Sequence, residues 1–97
     1  MTGKEEYQLG IQRAVFETLR NSRMAGIPYL KKKEIISGVK DILPELTEPD
    51  NKVSQALYHL SRETKFRRKK IEKVREENKA KGWTVLDEYL DENDVVF

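Results

Sequence analysis

The spacing of apolar residues changes along this chain, and the change divides it into elements. Tyr7, Ile11, Ala14, Val15, Thr18 and Leu19 recur every three or four residues, while Glu5, Gln12, Arg13, Glu17 and Arg20 lie mostly off that stripe. Such a pattern predicts a helix that buries one face. Thr2 and Glu5 have capping-box spacing, so the helix is expected to open there and run to about Arg23. Phe16 falls off the stripe and is assigned to a widened buried face. Asn21, Ser22 and Gly26 interrupt the pattern, and Pro28 makes residues 27–30 a brief extended piece. Ile35, Ile36, Val39, Ile42 and Leu43 then predict a second helix from Lys31, stopped by Pro44. Leu46 anchors the connection that follows. Thr47, Glu48, Pro49 and Asp50 read as the start of a third helix, with a capping hydroxyl, a proline in the first turn and acids where the helix dipole favours them. Val53, Ala56, Leu57 and Leu60 form its buried stripe. That leaves Asn51, Lys52, Ser54, Gln55, Tyr58, His59 and Arg62 facing outward, a face rich in hydrogen-bonding groups.

Beyond Arg62 two signals conflict. Residues 61–82, SRETKFRRKKIEKVREENKAKG, have good helix propensity throughout, which favours continuing the helix. Phe66, Ile71 and Val74 nevertheless make a poor helical stripe, and a lone charged helix would bury almost nothing. The packing argument favours a hairpin: a strand over residues 71–75, a loop over 76–82 containing Asn78 and Gly82, and a return strand over 83–89 in which Trp83, Val85 and Tyr89 share a face. The fold class expected is therefore mainly α with a small β-hairpin (α+β).

Composition narrows the class. A chain of 97 residues buries one modest core, so residues 1–89 are expected to form a single domain, with residues 90–97 an acidic tail. There is no cysteine and a single histidine, which excludes a disulfide framework and a structural zinc site, and no metal or cofactor is expected. No apolar run reaches the roughly 20 residues of a membrane span, and the first residues lack the apolar stretch of a secretory signal. A cytoplasmic protein is expected.

The net charge of +2 conceals three unlike segments. Residues 1–61 carry nine Lys/Arg against eight Asp/Glu, residues 62–81 ten against four, and residues 82–97 none against five. A polyanion would favour the middle segment and avoid the last. Lys31, Lys32 and Lys33 crowd the first turn of the second helix, where cations oppose the dipole; phosphate contact or ordinary solubility would each account for them.

Three helices, an extended piece after the first and a hairpin after the third resemble the winged helix-turn-helix family. The resemblance is carried by LKKKEIISGVKDILPELTEPDNKVSQALYHL at residues 30–60 and by the hairpin KKIEKVREENKAKGWTVLDEY at residues 69–89. It rests on hydrophobic spacing and element order. Two departures are a fairly long connection between the second and third helices, holding two prolines, and a long segment at residues 63–70. The resemblance implies a third helix in the DNA major groove and a wing along the adjacent backbone or minor groove. Asn51, Ser54 and Gln55 suit base edges, Lys52 and Arg62 suit guanine or phosphate, and Tyr58 and His59 suit sugar or phosphate. Arg67, Arg68, Lys69, Lys70, Lys73, Lys79 and Lys81 would neutralise phosphates without reading sequence. Each has a plainer reading: a partly packed His59, a Tyr58 ring covering a core edge, a solvated basic strand, and Trp83 as hairpin core.

The function expected from this resemblance is sequence-specific binding of double-stranded DNA by a small, nucleoid-associated transcription regulator. The competing expectation is a protein-interaction module of the same fold, in which LDEYLDENDVVF docks on a basic partner or folds back on the basic arm. A symmetric homodimer through Leu9 and Phe16 of the first helix competes with a monomer that buries them. An enzyme is disfavoured, since the chain has no cysteine nucleophile, glycine-rich phosphate loop or second histidine.

Overall fold

The apolar stripes fold into three helices and one antiparallel hairpin, a mixed α+β arrangement: α1 (Gly3–Met24), α2 (Lys32–Ile42), α3 (Pro49–Ser61), β1 (Ile71–Glu76), β2 (Lys79–Val85) and a 3-10 turn (Asp87–Tyr89). This computed structural model describes residues 3–91, Val95 and Phe97, with side chains from Gln8 onward. Thr2, Glu92, Asn93, Asp94, Val96 and the side chains of Glu5 and Tyr7 lie outside the described residues, and with them the predicted capping box and part of the acidic tail.

One core serves all the elements. From α1 it takes Ile11, Ala14, Val15, Phe16 and Leu19; from α2 Ile35 and Val39; from α3 Val53, Ala56, Leu57 and Leu60; and from the hairpin Ile71 and Val85. Removing these apolar faces from water supplies the main favourable term in folding. Phe16 is wholly buried, and the rings of Tyr89 and Phe97 meet it edge-on at 6.1 and 5.3 Å. Phe16 is therefore core and not available to a dimer contact, while Leu9 is only half-buried. Leu90, Val95 and Phe97, partly buried, also pack against this core.

Close backbone approaches set the geometry between elements. The cross of α1 over α2 has room for glycine alone: a Cβ on Gly38 would stand 2.4 Å from the Thr18 methyl. Leu30 pairs with Trp83 on the free edge of β2, exchanging N–H to O bonds of 2.9 and 2.8 Å, which accounts for the extended piece before α2. Gly82 lies beneath this pairing, where a Cβ would come within 2.5 Å of the Leu30 carbonyl. Arg23, near the end of α1, donates to Thr84 Oγ1 at 2.9 Å, to the Val85 carbonyl at 3.2 Å and to the Asp87 carboxylate. A single side chain thus ties the first helix to the end of the hairpin.

Several boundaries differ from expectation for identifiable reasons. Helix α3 starts from Glu48, in the left-handed region at φ 49°, and Thr47 does not cap it; the Thr47 hydroxyl accepts from Lys52 Nζ at 2.8 Å instead. Pro49 holds the first-turn position as predicted. The helix stops at Ser61 despite the propensity beyond it, because Lys70 N–H donates to the Leu60 carbonyl at 2.8 Å and turns the chain back into the sheet. The hairpin loop is not the seven residues expected but the pair Glu77 and Asn78, both at positive φ, with β2 beginning at Lys79. Tyr89 belongs to the 3-10 turn and not to the strand, although it is buried beside Phe16.

Candidate nucleic-acid interface

The outer face of α3 carries the side chains expected there. Asn51, Gln55, Tyr58, His59 and Arg62 are exposed, and Lys52 and Ser54 are half-buried on its two flanks. A helical period of about 3.6 sends these groups to two different grooves. Asn51, Lys52, Gln55 and His59 face α1 across a groove of about 280 Å³ that Gln8 and Gln12 complete. Gln12, expected off the buried stripe, is only 7% exposed, and its Oε1 has no hydrogen-bond partner among the described residues.

The second groove lies between α3 and the hairpin and encloses about 580 Å³. Its helical wall presents Ser54, Tyr58 and Ser61; its other wall presents Glu72, Lys73, Arg75 and Trp83 of the strands with Lys69 just before β1, and Lys32 reaches in from α2. Residues two apart share a strand face, so Lys73 and Arg75 lie on the side of β1 that carries the buried Ile71. Lys73 lies opposite Trp83 in the ladder, and its ammonium sits 4.9 Å from the indole centre. That contact orients the cation without neutralising it. Lys32 is partly compensated, being 2.6 Å from the Asp50 carboxylate. The groove therefore offers cations in excess of carboxylates beside hydroxyl donors, the chemistry that holds phosphate oxygens.

The remaining candidates occupy three other places. Arg62 donates to the Tyr58 hydroxyl and lies 5.4 Å from its ring, a pairing that fixes both side chains at the end of α3. Arg67, half-buried, and Arg68, exposed, sit in the connection over residues 62–70. Lys79 and Lys81 lie on β2: Lys79 stands opposite Glu76, and half-buried Lys81 falls at the irregularity where Val74 pairs with Gly82 and Arg75 with Ala80. With Glu76 and Glu77 beside Lys79, the tip of the hairpin has mixed charge, and the basic excess sits at its base.

Lys70 is corrected outright as a phosphate contact. It is 5% exposed, its carbonyl accepts from Leu86 N–H at 3.0 Å, and its ammonium lies 6.0 Å from the Tyr89 ring and 5.7 Å from that of Phe97. Its stem is part of the core edge. Conversely, Arg75 and Ser61 line the basic groove although neither was singled out from the sequence. Arg75 was findable, since it follows Lys73 by two on a strand already predicted. At the end of the tail, Phe97 lies against Phe16 of α1, with the Arg13 guanidinium 5.1 Å and the Lys70 ammonium 5.7 Å from its ring, so it meets the first helix and one residue of the basic arm.

Among the described residues no helix is long and apolar enough to cross a membrane, and no cluster of three or more His, Cys, Asp or Glu is placed to hold a metal ion. Comparisons with protein-family models, with curated proteins and with solved structures each find no match.

Proposed function

We propose that this protein binds double-stranded DNA sequence-specifically and acts as a small transcription regulator, with the outer face of α3 in the major groove and the hairpin as a wing on the adjacent backbone. The observation that carries this reading is the groove between α3 and the hairpin, where Lys69, Lys73 and Arg75 face Ser54, Tyr58 and Ser61. Cations there would hold phosphates, and Asn51 and Gln55 on the neighbouring exposed face have amides that match the donor and acceptor of an adenine edge. Division of labour follows from position: the helix reads and the base of the wing holds.

Selection of bound duplexes from a random pool tests it. The wild type is expected to enrich a common motif, and Gln55→Ala to relax preference at one position of that motif while keeping most of its affinity for unrelated duplexes, a loss of about 1–3 kcal/mol at that base pair. A pool that never enriches, or an unchanged motif from the variant, counts against base reading by α3.

A further inference from the structure

Phe66 is the most exposed of the large apolar side chains in the described structure, at 92%, well beyond Met24 at 67%. It does not hang from a loose loop. Thr64 N–H donates to the Arg67 carbonyl at 2.8 Å, Arg67 N–H returns to the Thr64 carbonyl at 3.4 Å, and Phe66 N–H donates to Thr64 Oγ1 at 3.3 Å. The turn closes on itself beneath the residue and presents its ring to solvent. Holding a phenyl group in water is unfavourable, and nothing in the core requires it, since the neighbouring hydrogen bonds involve only backbone and the threonine hydroxyl.

The surroundings indicate what the ring meets. Residues 64–71, TKFRRKKI, contain no acid, so along the chain Phe66 is flanked by Lys65, Arg67 and Arg68, a cationic collar to which Glu63 is the nearest preceding acid. A polyanion with an apolar interior matches a cationic collar with an apolar centre, and duplex DNA is such a partner: phosphates outside, stacked bases within. The turn also lies at one end of the basic groove, because it connects Ser61 to Lys69 and both of those residues line it.

We infer that Phe66 is a wedge. When the backbone of a duplex lies in the groove, the collar cations grip the phosphates and the ring enters from the minor groove, pushing between two base pairs and kinking the DNA. The inference rests on the duplex-binding reading. Steps that unstack readily, TA and CA/TG, are the expected sites of insertion, which adds a preference for deformable sequence to the direct reading by α3.

The test uses the full chain and a set of 24-base-pair duplexes of mixed sequence that differ only in where a single 2-aminopurine sits, at low salt. The wild type is expected to bind all of them and to raise fluorescence at one or two adjacent positions, where stacking is lost. Phe66→Ala is expected to bind about tenfold more weakly and to give no rise at any position, whereas Phe66→Leu, which keeps an apolar wedge, retains most of the signal. Thermal melts of both variants should match the wild type, because the ring contributes nothing to the core. Binding without a fluorescence rise, or a rise that persists in Phe66→Ala, overturns the wedge and leaves the groove reading standing. A reduced affinity for single strands with duplex binding unchanged overturns it as well. Absence of any duplex binding by the wild type overturns both readings together.

Discussion

Individual residues in this chain are set by distances that the one-dimensional pattern does not contain. Gly82 reads in the sequence as a turn-tolerant loop residue, yet its φ is unexceptional and its role is to let the Leu30 carbonyl approach the strand. An added methyl group would lie 2.5 Å from that oxygen and 2.8 Å from the Tyr29 ring, so something must shift. Gly82→Ala is expected to destabilise the fold by about 1–3 kcal/mol, the usual range for overpacking, by breaking the pairing of Leu30 with Trp83. Urea unfolding followed by circular dichroism measures this as a lower midpoint with an unchanged slope, and an unchanged midpoint would show that the bridge is soft. Lys70 teaches the same lesson in reverse. The three residues before it are cationic, and the return of Tyr89 and Phe97 to the same spot covers its stem. That contact joins residues far apart along the chain, which is why local charge counting missed it.

At the scale of elements, the helices were legible and the hairpin was legible only in kind. Periodic apolar positions located α1, α2 and α3 within one or two residues, because each buries a single continuous stripe. The break after Ser61 followed from asking what a charged helix would bury, not from propensity, which points the other way. The hairpin register was not readable, since Lys79, Ala80 and Lys81 are poor strand formers that look like loop, and Glu77 is not a usual turn residue. The turn itself places Glu77 at φ 52° and Asn78 at φ 67°, the left-handed pair of a type I′ turn. A side chain such as glutamate in that conformation costs roughly 1 kcal/mol. Replacing the pair by Asn-Gly, through Glu77→Asn and Asn78→Gly, is expected to raise Tm by about 4 °C. Scanning calorimetry decides it, and a lower Tm would mean that Glu77 makes a favourable contact at the hairpin tip.

Over the whole molecule, the near-balanced total charge is the least informative number in the chain. Its +2 conceals a basic stretch over residues 62–81 set against an acidic one at the end, and folding sharpens the first by bringing Lys69, Lys73 and Arg75 to a single groove beside α3. The candidate site was legible as a face and a charge run. How the two meet was not, because the split of the helix face between an α1 groove and a hairpin groove depends on where the strands lie. The hairpin tip, with Glu76 and Glu77 beside Lys79, contributes less charge than the sequence count implies. If the groove between α3 and the hairpin holds a DNA backbone as proposed, binding must depend on salt. Each phosphate contact releases counterions, so the affinity of the wild type for a duplex should fall with salt at a log–log slope of about −3 or steeper, and Lys69→Ala, Lys73→Ala and Arg75→Ala together should flatten that slope by about 2 to 3 while the fold is retained. A wild-type affinity that does not change with salt, or a triple variant with the wild-type slope, would contradict the account.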